Sequence, residues 1–232
     1  MLFEGIRRNF QLRFKDRSAA ANILADVIKS SLEKEPKEHI LVLGIPRGGV
    51  VTADIFASKL SIPNFDIVIP RKLTDPYNKE LAIGAIMEDG TTYLDQVRIN
   101  NSLISFDYIE KEKLEQIAEI KRRASLYRSN ITHYHTVPGA TTILLDDGAA
   151  TGATIIVAAR WIKKQYKPRR FIIALPVAPK ATLKLLGQEC DLVEAIITPG
   201  NFHSVGQFYE DFNPVTDKQV MDIMRKRNMS PQ

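Results

Sequence analysis

Asp146 and Asp147 stand side by side between an apolar run, Ile143-Leu144-Leu145, and a loop of small residues, Gly148-Ala149-Ala150-Thr151-Gly152-Ala153-Thr154. Ile155, Ala159 and Ile162 recur at helical spacing afterwards, so the loop joins a buried strand to a helix. Carboxylates accept hydrogen bonds and donate none, which suits them to hydroxyl groups. Glycines and small side chains let the backbone come close to a bound group. The amides that open a helix have no partner within it and suit a phosphate. Hydroxyls at one end and a phosphate at the other describe a ribose 5-phosphate. The competing reading is a plain strand-turn-helix carrying two solvated aspartates.

Two other stretches bring cations. Gly44-Ile45-Pro46-Arg47-Gly48-Gly49 follows a predicted strand. Its glycines permit tight geometry at the next helix start, and Arg47 can grip phosphate oxygens. It is not a Walker A loop, because no Gly-Lys-Ser/Thr follows. Arg71-Lys72-Leu73-Thr74-Asp75-Pro76-Tyr77-Asn78-Lys79-Glu80 is polar and turn-rich and reads as a mobile loop with three cations, Arg71 and Lys72 foremost. A solvated turn explains the first stretch equally well, and a solvated hairpin connection the second.

The elements that must position these residues alternate. Apolar Ile23, Leu24, Val27, Ile28 and Leu32 mark a helix from Asp16 to about Lys34, with Asp16 as its cap. A strand over His39–Gly44, a helix over Gly48–Leu60 and a strand over Phe65–Ile69 follow. Asp89-Gly90 is a hairpin turn between Ala82–Met87 and Thr91–Leu94. A long charged helix covers Ser105–Arg128. Strands at 142–146, 171–175 and 191–197 then alternate with helices at 152–165 and 180–187. An irregular aromatic stretch, Pro199–Asn213, precedes a last helix over Asp217–Arg227. Short apolar strands alternating with helices predict an α/β fold with a mostly parallel central sheet flanked by helices and a peripheral β-hairpin. No linker divides the 232 residues, which read as a single domain.

Composition narrows the function classes. Nothing approaches a membrane-spanning run, and Met1-Leu2-Phe3-Glu4-Gly5-Ile6-Arg7-Arg8 lacks the pattern of a signal peptide. The single cysteine, Cys190, excludes an internal disulfide and points to the cytoplasm. His39, His133, His135 and His203 show no metal spacing. The net charge of +5 admits an anionic partner. Lys121-Arg122-Arg123 and Arg225-Lys226-Arg227 lie on predicted helices with acids nearby, so they read as solvated faces and no specific nucleic-acid partner is expected.

Asp146-Asp147-Gly148-Ala149-Ala150-Thr151-Gly152-Ala153-Thr154 resembles the phosphoribosyl pyrophosphate (PRPP) motif of type I phosphoribosyltransferases. The resemblance implies that the acids hold the ribose hydroxyls and the Thr151–Thr154 loop the 5-phosphate. Pro46-Arg47-Gly48-Gly49 is similar to that family's pyrophosphate loop, implying a cis Pro46–Arg47 peptide. Arg71 and Lys72 occupy the place of its flexible catalytic loop. Arg71-Lys72-Leu73, Glu80 to Ala85, Leu175 to Ala178 and Val205 to Phe212 look like a bacterial and archaeal group of unassigned acceptor, from about Phe10 to Val220. The same resemblance implies five parallel core strands, a small hood from the terminal segments, Mg²⁺ as cofactor, PRPP and a small nitrogen acceptor as partners, and a homodimer. Phe202, Phe208 and Tyr209 would face the acceptor, with Lys180 as a further candidate, and Asp211 or Glu210 would approach the metal. Ala150 departs from hypoxanthine-type enzymes, which place an acid/base Asp there. Transfer of 5-phosphoribosyl from PRPP to a nucleobase, purine favoured, is the expected activity. A non-catalytic PRPP- or nucleotide-binding regulator on the same fold is the main alternative. A receiver domain fits poorly, because these acids follow several elements.

Overall fold

The computed structural model describes residues 13–128 and 137–229. The leader reading of Met1–Arg8, Phe10 at the start of the resemblance, and His133 and His135 all lie outside the described residues.

Two strands set the frame. β1 (Ile40–Gly44) and β6 (Thr141–Leu145) are buried at every position, the pattern of strands covered on both faces. They pair in parallel from Ile40–Thr141 to Gly44–Leu145, so their carboxyl ends finish level. The Ile45 amide extends the ladder by donating to the Leu145 carbonyl at 3.0 Å. β2 (Asn64–Ile67) lies beyond β1, while β7 (Arg170–Val177) and β8 (Leu192–Ile197) continue from β6, giving the parallel order β2-β1-β6-β7-β8. The chain therefore winds outward in one direction from β1 and in the other from β6. Such a reversal leaves a crevice beyond the carboxyl ends of the two strands, where open α/β sheets take their ligands.

Successive strand residues face opposite layers. Val42 and Ile143 pack with Leu24 and Ile28 of α1 (Arg17–Lys29) and with Val50 and Phe56 of α2 (Gly48–Lys59). Leu41, Leu43 and Leu144 face Ile155, Val157 and Trp161 of α5 (Ala153–Tyr166). Each such fully buried aliphatic side chain contributes about 1.5–3 kcal/mol. Asp16 caps α1 as expected, accepting from the Ala19 amide at 2.7 Å.

The predicted hairpin forms as β4 (Ala82–Ile86) and β5 (Thr92–Leu94), turning through Gly90 at φ +84°. A third strand joins it. Arg71–Thr74, expected to belong to a mobile loop, is β3 and pairs antiparallel with β4. Leu73 is fully buried there, and the Thr74 amide and hydroxyl both donate to Glu112 of α4 (Phe106–Arg128) at 3.3 and 3.0 Å. Only 75–81 is left as a connection. Asp75 shapes its start by accepting from the Tyr77 and Asn78 amides. A six-residue helix, α3 (Gln96–Asn101), was also unforeseen; Asp95 caps it by accepting from the Arg98 amide. At the far end of α4, Arg128 is buried and donates to Asp66 and to the Ile67 carbonyl, fastening the helix to β2.

The remaining helices are α6 (Lys180–Leu186) and α7 (Asp217–Met229). Within the aromatic stretch, Val205–Phe208 forms a short 3-10 turn. That stretch meets the chain's beginning: the Phe14 amide donates to Phe208, and the Glu210 amide donates to Phe14, both at 2.8 Å. Phe14, Ala20, Val177, Phe208 and Tyr209 make a small core of their own at the carboxyl edge of β7, which is the expected hood. Among the described residues, no helix is long and apolar enough to cross a membrane.

Candidate active site

The level ends of β1 and β6 bring the two loops into contact. A Cβ added at Gly48 would stand 1.8 Å from Asp147 Oδ2, and one at Gly49 would stand 2.7 Å from both Asp146 Cα and Asp146 Oδ1. The Gly44–Gly49 loop therefore lies directly on the acid pair, and glycine is what permits the approach. Pro46–Arg47 is a cis peptide, as the resemblance implies. Gly148, at φ +155°, presses against Val177 and Val205, so the loop after β6 runs beneath the hood. Gly152 adopts φ +78° at the start of α5, where a Cβ would lie 2.9 Å from the Thr182 side chain. Ala149 and Ala150 are fixed by hydrogen bonds, the Ala149 amide to Val177 and the Thr182 hydroxyl to the Ala150 carbonyl at 2.5 Å.

Neither α2 nor α5 has a side-chain cap at its start; Arg47 and Gly152 occupy the capping positions. Both helices begin on the side of the sheet where the crevice lies. Their first-turn amides and partial positive charge favour an anion at each place. Between them sit Asp146 and Asp147. Burial and the adjacent Asp147 push the Asp146 carboxyl well above the usual carboxylate range. Burial raises Asp147 as well, and Arg17 opposes that rise. A hydroxyl that donates to these desolvated oxygens replaces the lost water and favours the charged form.

Three side chains outside the expected set hold this centre. Arg17, at the start of α1, places Nε 2.7 Å from Asp147 Oδ2, with side chains 12% and 15% exposed. Its Nη1 donates to the Asn213 carbonyl at 2.9 Å, and its guanidinium lies 3.8 Å over the Phe212 ring. The Tyr209 hydroxyl donates to the Asp147 carbonyl at 2.6 Å. Asp217, the first residue of α7, accepts from the Tyr127 hydroxyl at 2.6 Å and stands 3.6 Å from Arg47. Burial and that bond push the Tyr127 hydroxyl up to about 12.

A profile of the phosphoribosyl transferase domain matches residues 11–213. The chain belongs to this phosphoribosyl transferase family. It is 31% identical over 211 residues to proteins of two Mycobacterium tuberculosis strains provisionally named phosphoribosyl transferases, an alignment covering 91% of the chain. The chain spans about half the length of these relatives, 46%. The crystal structure of TT1426 from Thermus thermophilus superimposes with a TM-score of 0.73 at 34% identity, covering 92% of this chain and 98% of that one. The five-stranded parallel sheet with its small antiparallel sheet is thus a phosphoribosyl transferase fold.

Several expected site residues of this phosphoribosyl transferase chain sit elsewhere than the sequence suggested. Arg71 turns toward α4, where its Nε donates to Gln116 at 2.9 Å. Burial and nearby Arg123 lower its proton affinity. Lys72 donates to the Glu80 carbonyl at 3.0 Å, back into its own connection. Neither makes a contact with the acid pair; both are strand residues tied to neighbours. Phe208 and Tyr209 are 6% and 4% exposed and cannot serve as open platforms, because the hood needs them as its core. Phe202 stacks on Phe208 with centroids 5.6 Å apart and is only half-buried, so it alone of the three offers an open face. Lys180 is exposed at the start of α6. Glu210 and Asp211 are exposed, and Asp211 Oδ1 is already engaged by the Asn213 amide and side chain at 3.1 and 2.6 Å.

Replacing Tyr209 by Phe removes the bond to the Asp147 carbonyl while keeping the ring. The expected loss is about 1 kcal/mol of stability and a small, severalfold loss of PRPP affinity. Thermal melts and titration calorimetry check this; unchanged values in both would show that the hydroxyl does not hold Asp147.

Proposed function

We propose that this chain transfers 5-phosphoribosyl from PRPP to a nitrogen of a nucleobase, purine favoured, with release of pyrophosphate. The observation that carries the reading is the contact of Gly48 and Gly49 with Asp147 and Asp146. It makes three subsites continuous: the amides of the Thr151–Thr154 loop for the 5-phosphate, the acid pair for the ribose hydroxyls, and the Arg47–Gly49 loop for pyrophosphate.

In the reaction the bond from ribose C1 to the pyrophosphate oxygen breaks, and pyrophosphate leaves with the electron pair. The acceptor nitrogen forms the new bond to C1 and gives up its proton to solvent or a base. Positive charge grows on the ribose as negative charge grows on the leaving group. Asp146 and Asp147 are placed to orient the ribose and to face the first. Arg47 and the opening amides of α2 are placed to face the second. The 5-phosphate is a handle whose binding energy fixes the orientation.

Among the described residues, no group of three or more His, Cys, Asp or Glu side chains could hold a metal ion. That fits a magnesium carried by the oxygens of PRPP, with protein carboxylates acting through water. Bound so, it supplies charge neutralisation to the departing pyrophosphate. The family resemblance adds a homodimer in the cytoplasm to this reading.

A second reading, a PRPP-binding regulator without turnover, draws on the placement of Arg71 and Lys72, which are engaged with Gln116 and the Glu80 carbonyl rather than the crevice. Mixing the protein with Mg²⁺, PRPP and a panel of nucleobases separates the two. Base-dependent pyrophosphate release is the expected result. Thermal stabilisation by PRPP without release from any base would favour the regulator.

A further inference from the structure

We propose that Arg17 is a positioning residue of the PRPP site, acting through Asp147: its guanidinium fixes the direction of that carboxylate and balances the charge of the acid pair. The inference rests on the PRPP reading of the acid pair and extends it to a residue that no motif contains.

The geometry is specific. Asp147 Oδ2 receives Arg17 Nε at 2.7 Å and packs against Gly48 so closely that a methyl group there would overlap it. With Oδ2 held from one side and the backbone carbonyl held by Tyr209, the remaining oxygen, Oδ1, has a fixed aim. Arg17 is itself immobilised, stacked on Phe212 and bonded to the Asn213 carbonyl. A planar guanidinium fixed at three places transmits orientation as a flexible ammonium would not. Its charge also matters. Among the described residues, the charged or titratable groups gathered around the Asp147 carboxylate are Asp146 from the same loop, Arg17 from α1 and Tyr209 from the tail. Arg17 is the cation of that set, facing two adjacent carboxylates. Without it, burial and mutual repulsion would favour a proton on Asp147, and a protonated acid accepts a ribose hydroxyl poorly.

A double-mutant cycle on the full chain tests this, with PRPP and Mg²⁺ as the probe and ligand-observed NMR to read weak affinities. Arg17→Met keeps an apolar stem against Phe212 and removes the charge. It is expected to weaken PRPP binding about tenfold or more in the natural background, and less than about threefold when Asp147→Asn is already present, the non-additivity of two groups that work as a unit. Arg17→Lys, which keeps the charge and loses the fixed plane, should fall between. Circular dichroism and melting curves confirm that each variant folds, and Arg17→Lys carries the test if Arg17→Met does not. Equal losses in both backgrounds would overturn the proposal, since Arg17 would then act on the ligand directly or on the fold. Full affinity in Arg17→Met would overturn it too. A natural protein with no affinity for PRPP would fail the underlying reading, a result distinct from either.

Discussion

Asp146→Asn will weaken PRPP binding about 10- to 100-fold, the worth of a hydrogen bond to a charged group, and will raise the melting temperature at pH 7–8. The two effects share one cause. Asp146 is held out of water beside Asp147, and its folded-state carboxyl lies well above the usual range. The folded protein therefore binds a proton at pH values where the unfolded chain has released it. Stability from this group is fully present below the unfolded value near about 3.9, and is lost as pH rises through the folded value. At neutral pH the carboxylate is a strain that the ribose hydroxyls relieve and an amide does not carry. Melting curves from pH 4 to pH 8 should show the variant and the natural protein converging at the acid end and separating toward pH 8. Asp147→Asn should behave oppositely in stability, because it strands the Arg17 guanidinium. Undiminished PRPP affinity in Asp146→Asn would remove the acid pair from the site.

Gly49→Ala will abolish measurable PRPP binding and cost about 1–3 kcal/mol of stability, the usual penalty of overpacking. The added methyl would meet Asp146 Cα and Oδ1 at 2.7 Å and the Leu145 carbonyl at 2.9 Å. Two of those three are backbone and cannot rotate away, so the two loops must separate. Gly48→Ala is the informative contrast. Its nearest neighbour is a carboxylate oxygen, which can swing aside. Stability should fall less, while affinity still drops, because Asp147 would lose its aim. Calorimetry and thermal melts on both variants check the pair. Equal PRPP affinity in Gly49→Ala and the natural protein would mean the contact between the loops is irrelevant to binding.

What could be read from the chain alone was what is written locally. β1 and β6 announce themselves as unbroken apolar runs, and the residues after them carry the small types and charges that a ligand loop needs. Long-range partners were invisible. β3 looked like a loop because Arg71, Lys72 and Thr74 are polar, and only pairing with β4 and the bonds to Glu112 make a strand of them. Arg17 lies 130 residues from the carboxylate it holds, and Tyr209 lies 62 residues from the carbonyl it holds. Arg17 looked like an ordinary residue after a helix cap, and Tyr209 like a ring for a base. The Phe14–Lys15 segment and the tail gave the faintest clue, a beginning and an end both richer in aromatics than their polar surroundings explain.

That closure has a consequence for how the protein is made. The Asn213 carbonyl that anchors Arg17 is 196 residues further along than Arg17 itself. A nascent chain emerging from the ribosome can complete the sheet and both loops while the carboxylates still lack their clamp. Competence to bind ligand therefore arrives late in synthesis, when Tyr209 and Asn213 reach the waiting first helix, and unfinished chains do not draw on the PRPP pool.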